Sequence, residues 1–518
     1  MTTLICAGGS GTRVLEAVLH LCAAGLGPSD LRTFVIDPDG SNGNVDKTRK
    51  LVNRYQECHE AFKTDKADDH PFFRTKVDLL KSAQGLRVWS PVDKTQKFKN
   101  LLNYTDLSPA QKDVVHLLLT DVELDMPMDV GFRGHPALGA AALALLPLYK
   151  DDPLWSQFAE AIKLEVNERE TRVVIVGSVF GGTGASAIHP LVRYLRSLPQ
   201  INREKLKVGA VALVPYFRFS ASEAAAASGH AQAEEAAKSE WFALASRSAA
   251  EYYEHLRTQN DWDFDAMYWL GDDTPVRVDY CVGGPQQDNP AHFVDLLAAC
   301  ACLDFSKSPP GARACYYSGP QETSDVPDGN VLTWDDIPMS ALDKDTVRKR
   351  LHHFQLVGAA HLGFYGPLLN DARLRGSPHC VPWYFDRFAD GTAELSSKDN
   401  QERVDALSTY FRENYFPWWD QIHSAGQDRM RLLNRTAWLD GDGMPLHIQM
   451  NRLGNLLYPD AVARHGLGPV DALFEGVVRS APGVAGMTNP SSTYLSMLSQ
   501  AALELVEQEN RGSVVRGA

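Results

Sequence analysis

The chain has 518 residues, of which 44% are hydrophobic and 22% charged, so it has material for a real core and a soluble surface. Its net charge of −14 disfavours a protein that holds nucleic acid by neutralising phosphates. None of the eight cysteines forms a Cys-x-x-Cys pair, which argues against zinc or thioredoxin-like chemistry and fits a reduced compartment.

The first predicted element is a strand, Thr3 to Ala7, which runs into Gly8-Gly9-Ser10-Gly11-Thr12-Arg13 and an apolar helix from Val14 to Ala24. Thr33 to Ile36 is a second strand ending in Asp37-Pro38-Asp39-Gly40. Together they read as a βαβ unit with carboxylates at the carboxyl edge of its second strand. A strand so close to Met1 leaves no room for a signal peptide, and no apolar run has the length to span a bilayer. The expectation is a cytoplasmic protein without a membrane segment.

Residues 41–130 are more polar and read as a mostly helical insertion on the first domain, with helices from Asp46 to Phe62 and around Val114 to Leu119. The loop Gly131-Phe132-Arg133-Gly134-His135-Pro136 opens an alanine-rich helix over 137–142. Strands follow at 172–177, 207–214 and 267–270, with helices at 187–197, Trp241 to Leu256 and Asn289 to Phe305. Alternating strands and helices argue for a parallel sheet. A cluster of Pro, Gly and Ser at 306–320 marks a boundary. Beyond it, helical patterns at 343–369, 402–424, 469–479 and 492–508, with short strands near 381–385 and 446–450, predict a mainly helical C-terminal domain. The aromatic run Tyr415 to Trp419 reads as its core. The fold class is α/β: a doubly wound, mainly parallel sheet over 1–305, then a helical domain over 306–518.

A second glycine turn, Gly181-Gly182-Thr183-Gly184-Ala185-Ser186, follows the strand at 172–177. Glycine lets successive backbone N–H groups converge, and the helix that follows contributes the positive end of its dipole. Either turn alone is a common phosphate-binding pattern. Two in one doubly wound domain suggest a nucleotide gripped from two sides. Thr183 also suits a helix cap, Asp37 and Asp39 suit turn formation, and His135 and His189 read as structural. The sheet-edge position of Asp37 and Asp39 also suits a water-mediated Mg²⁺ contact, with Asp39 as the metal candidate. With Gly8–Arg13, Asp37 also fits the acidic residue of a dinucleotide-binding Rossmann site.

The order and chemistry of the strand-end loops resemble the tubulin/FtsZ family of GTP-binding, filament-forming proteins. Gly8–Arg13 is similar to the tubulin pattern Gly-x-Cys-Gly-Asn-Gln, and Asp37-Pro38-Asp39 to FtsZ's Asn-Thr-Asp. Gly131-x-x-Gly134-His135-Pro136-x-x-Gly139 resembles the family loop that approaches the γ-phosphate. Gly181-Gly182-Thr183-Gly184 keeps four residues of Gly-Gly-Gly-Thr-Gly-(Ser/Thr)-Gly, with Phe180 and Ser186 replacing the outer glycines. Val214-Pro215-Tyr216-Phe217-Arg218-Phe219 is similar to the segment that reaches the ribose.

The resemblance implies GTP or GDP with Mg²⁺, held by Gly8, Gly9, Ser10, Gly11, Thr12, Arg13, Asp37, Asp39, Arg133, Gly134, His135, Gly181, Gly182, Thr183, Gly184, Ala185 and Pro215. Asn289, His292 and Asp295 are the candidates for reading the base. It implies head-to-tail self-assembly, with a further protein partner through the C-terminal domain and no nucleic acid. The family's Asn-x-Asp-x-x-Asp is missing after the central helix, and Asp335 and Asp336 are the nearest acidic substitutes, so slow or absent hydrolysis is expected. A nucleotide-sensing protein that does not polymerise and an NAD(P)-binding enzyme are the alternatives.

Overall fold

The computed structural model describes residues 1–63, 70–79, 81–82, 85–86, 88–93, 96–128, 132, 135–144, 152–219, 239–272, 275–279, 281, 283–307, 314–318, 334–339, 341–370, 384, 388, 395, 397–425, 432 and 489–514. The chain forms two compact units. The first comprises Met1–Val18, Pro28–Val52 and Lys76–Met339, and the second comprises Leu19–Gly27, Asn53–Thr75 and Ser340–Ala518.

The first unit is built on a parallel sheet. Its strands are β1 (Thr2–Ala7), β2 (Asp30–Ile36), β3 (Lys76–Leu79), β4 (Val88–Trp89), β5 (Thr171–Ser178), β6 (Leu206–Leu213), β8 (Ala266–Leu270) and β10 (Ala314–Ser318). Two short strands, β7 (Phe217–Phe219) and β9 (Val276–Val278), pair separately. The order across the sheet is β10-β8-β6-β5-β1-β2-β3, with β4 also on β2, and every pair is parallel. The chain leaves β1 toward β2 and β3, then returns to fill the other side from β5. The direction of winding therefore reverses between β1 and β5, where Ile5 pairs with Ile175.

The central strands are buried along their length, which is why they read as near-continuous apolar runs. Helices α6 (Pro153–Glu168) and α7 (Gly182–Ser197) contribute to a core in which Phe34 stacks on Phe158 at 4.5 Å and Trp89 on Trp155 at 4.7 Å. Helix α9 (Phe293–Lys307) is apolar on nearly every side and correspondingly buried. The ring of its Phe305 lies where a side chain on Gly209 of β6 would stand.

The region 41–130 departs from the expected helical insertion. Helices α2 (Gly43–Phe62), α3 (Pro109–Leu118) and the single turn α4 (Asp121–Leu124) are present, but β3 and β4 of the main sheet also lie there. Residues 53–75 group with the second unit. The expected boundary at 306 is also displaced, because β10 adds a strand beside β8 and the first unit runs to Met339.

The second unit is helical in its described parts. It contains α10 (Ala341–Ala360), α11 (Lys398–Thr409), α12 (Phe416–Ala425) and α13 (Pro490–Val514). Wide π-turns at His361–Tyr365 and Tyr410–Tyr415 extend the first two. Tyr415, Phe416, Trp418 and Trp419 are buried. The predicted elements at 381–385 (Tyr384 apart), 446–450 and 469–479 lie outside the described residues.

Candidate functional site

The winding reversal brings both glycine turns together. Helix α1 (Gly8–Ala23) begins directly where β1 ends, and α7 begins four residues after β5. A methyl group on Gly8 would lie 3.3 Å from Thr183 Cβ and 3.6 Å from Gly184 N, so the two helix starts touch. Gly8 takes φ +73°, a left-handed conformation that favours glycine. Gly11 and Gly184 serve close packing instead. A methyl on Gly11 would come within 2.7 Å of the Val176 carbonyl oxygen, and one on Gly184 within 2.5 Å of Ser178 N.

Gly9, Ser10, Gly181, Gly182 and Ala185 are partly open to solvent, while Gly11, Thr12, Thr183 and Gly184 are buried beneath them. Two 16-residue helices thus present their first-turn N–H groups at one place on the carboxyl edge of the sheet. Such a convergence of positive dipole ends is suited to an anion. Thr12 donates its hydroxyl back to Gly8 O at 2.9 Å. Thr183 does not cap α7: the N-cap position is Gly181, and no side-chain cap bond forms. Ser186 donates to Gly182 O and lies 3.1 Å from Pro136 O, joining α7 to α5 (Pro136–Leu143).

Arg13 is turned inward, contrary to its expected place as a nucleotide ligand. Its guanidinium donates to the Tyr216 hydroxyl, its Nε lies 3.4 Å from Asp295 Oδ2, and the Tyr216 hydroxyl donates to Asp295 Oδ1 at 2.7 Å. All three side chains are buried. Burial pushes the Asp295 carboxyl upward and Arg13 opposes it; burial also pushes the Tyr216 hydroxyl up, which keeps it a donor. The Asp295 carboxylate also accepts from His292 N at 2.9 Å. With those partners, Asp295 fits the anchoring of α9 better than the reading of a base.

Asp39 does not fit a metal ligand. Its Oδ1 accepts from Ser41 N and Ser41 Oγ, and its Oδ2 accepts from Gly284 N at 2.6 Å. Asp37 accepts from Asp39 N at 3.0 Å. Both carboxylates are buried and shape the loop, and among the described residues no group of three His, Cys, Asp or Glu could hold a metal ion.

Next to them lies an amide lattice that the sequence reading did not single out. Asn42 Nδ2 donates to Gln287 Oε1 at 2.7 Å, Asn44 Nδ2 to Gln287 O at 2.8 Å, and Asn289 N to Asn44 Oδ1 at 3.0 Å. A methyl on Gly9 would sit 3.3 Å from Asn44 Nδ2, so this lattice walls the first glycine turn. The run Ser41-Asn42-Gly43-Asn44, placed directly after an acidic strand end, was the available signal.

The remaining candidates are dispersed. Pro215 is half-buried beside Tyr216, and Asn289 is half-buried at the amide lattice. The His292 ring packs on Tyr216 at 5.1 Å, with Nε2 3.9 Å from Asp272. His135 is paired with Glu123 at 3.0 Å. Arg133 and Gly134 lie outside the described residues. Asp335 and Asp336 form a short turn after β10, with Asp335 exposed. Buried Glu16, further along α1, is paired with Lys47 at 3.0 Å.

No protein-family model and no curated protein matches this chain. The site's chemistry therefore rests on its own geometry. No helix among the described residues is long and apolar enough to cross a membrane.

Proposed function

We propose that the first unit binds a purine nucleotide, GTP by its resemblance to the tubulin/FtsZ family, with the phosphates seated on the N–H groups of Gly8–Gly11 and Gly181–Gly184. The observation that carries this is the contact between the two helix starts, Gly8 against Thr183, at the point where the winding reverses. A single Rossmann dinucleotide site uses one glycine turn, whereas here a second stands beside the first. The strand order is common to both arrangements, so NAD belongs in the same assay. Phosphoryl groups need positioning and charge neutralisation more than covalent help, and preorganised backbone donors supply both. Mg²⁺, when it accompanies a triphosphate, supplies charge neutralisation; Asp39 is engaged elsewhere and is not proposed to hold it.

By its resemblance to the tubulin/FtsZ family the chain is proposed to assemble head to tail with nucleotide bound, and to hydrolyse slowly or not at all. Titration calorimetry with GTP, GDP, ATP and NAD tests the binding. Gly182→Asp sets a carboxylate at the second turn and is expected to abolish GTP binding. Undiminished GTP affinity in a folded Gly182→Asp protein rejects the site. Light scattering and electron microscopy with GTP and Mg²⁺ test assembly, and a nucleotide-loaded protein that stays monomeric rejects that part alone.

A further inference from the structure

Helix α3 is ten residues long, and none of them is buried. A helix that short is marginal in water unless caps or neighbours hold it. Both supports are present. Ser108 and Gln111 form a complete capping box at its start, and Thr120 and Glu123 form another at α4. On the inner side Val115 packs against the Phe98, Leu119 and Leu124 cluster. Tyr104 braces the same flank, with its hydroxyl 2.7 Å from His116 Nε2 and its ring centre 5.3 Å from Lys112 Nζ.

The outer side is apolar. Val114, Leu117 and Leu118 are 56%, 84% and 73% exposed. Their i, i+3, i+4 spacing sets them on one stripe, the anchor pattern of a helix laid into a groove. This stripe lies outside the fold's own core, yet its helix is capped and braced in place, which lowers the entropic cost of docking.

Charge selects the occupant. Asp106 before the helix and Asp113 within it are exposed, and exposed Asp121 just after it lies 3.7 Å from His116 Nδ1, while Lys112 and His116 Nε2 face Tyr104. An anionic lipid surface would be repelled by this rim. A two-fold contact with a second copy would set the acidic rim against itself, and a head-to-tail contact would set it against a chain of net charge −14. We propose that α3 docks into an apolar groove rimmed by Lys and Arg on a different protein, with Leu117 and Leu118 as the anchors. The inference is independent of nucleotide binding.

The test places a photo-crosslinking amino acid at Leu117 of the full chain in cells, with the same group at exposed Arg247 of α8 (Ser239–Thr258) as control. The partner recovered at Leu117 is purified. Its affinity is then measured by calorimetry at about 50 mM and about 300 mM NaCl. Wild type is compared with Leu117→Asp/Leu118→Asp and with Asp113→Lys/Asp121→Lys. The expected result is a distinct protein captured at Leu117 and not at Arg247. Its affinity should fall at least about tenfold with the first variant, and several-fold with the second or with high salt. All four positions are exposed, and circular dichroism and urea midpoints confirm that the variants fold. Cross-links only to a second copy, no adduct, equal capture at both positions, or an affinity indifferent to both variants would each overturn the proposal.

Discussion

Lowering the pH should release α13 from the second unit, and the size of the effect follows from three buried histidines. His70 Nε2 lies 3.2 Å from Ser492 Oγ, His353 Nε2 2.6 Å from Ser499 O, and His361 Nδ1 2.8 Å from the Tyr494 hydroxyl. Burial holds each imidazole neutral, at about 3 in all three cases against 6.5 for an ordinary histidine. The cations that face them make protonation harder still: Arg74 at His70, Arg350 at His353, and Arg412 at His361. Because the folded pKa is depressed, this contribution to stability is complete above about pH 6.5 and is lost progressively as the pH falls toward 3. Between about pH 7.5 and about pH 5.5 each histidine gives up about 1.4 kcal/mol, or about 4 kcal/mol for the three. Hydrogen exchange read by mass spectrometry on peptides from 490–507 reports the opening of α13. After correction for the intrinsic rate, protection should fall about a thousandfold over that interval. His353→Gln, which cannot titrate, should cut the fall by about tenfold. Unchanged protection at the two pH values would refute the assignment of these histidines as neutral pins.

Arg13→Ala leaves Asp295 buried without its cation and should destabilise the first unit by about 3–5 kcal/mol in urea unfolding. The deficit relative to wild type should shrink as the pH falls, because the unpaired Asp295 carboxyl, raised by burial, then takes a proton. Gly11→Ala drives a methyl to 2.7 Å from the Val176 carbonyl oxygen, with an expected loss of about 1–3 kcal/mol and weaker GTP binding in calorimetry. Gly284→Ala has open space around it and should lose only the cost of its φ of +76°, about 1–2 kcal/mol by urea midpoint. Phosphate release should be slow in wild type and slower still in Asp335→Ala/Asp336→Ala; a fast rate unaffected by the pair would exclude both residues from hydrolysis.

The main strands and the two glycine turns were legible because their signals are local. An apolar run that ends in glycine and opens a helix, as at Ala7-Gly8 and again before Gly181, needs no distant partner to be read. What the sequence hid was non-local. Strand β3 alternates charge with apolar residues, Lys76-Val77-Asp78-Leu79, and becomes a strand only because β2 offers it an edge. Strand β10 lies in a Pro- and Gly-rich stretch that looks like a domain end, yet Tyr316 pairs with Tyr268 at one edge of the sheet. The same limit governs the site. Arg13 sits one turn inside a phosphate-type helix, and by position alone it reads as a cation for phosphate. Its bond to a hydroxyl 203 residues away and its ion pair with Asp295 remove it from solvent. A backbone nest can be predicted from short spacing, because glycine supplies it locally. The direction of a long side chain is decided by whatever partner folding brings near, so the charges around a nest are the part of a site that a sequence discloses last.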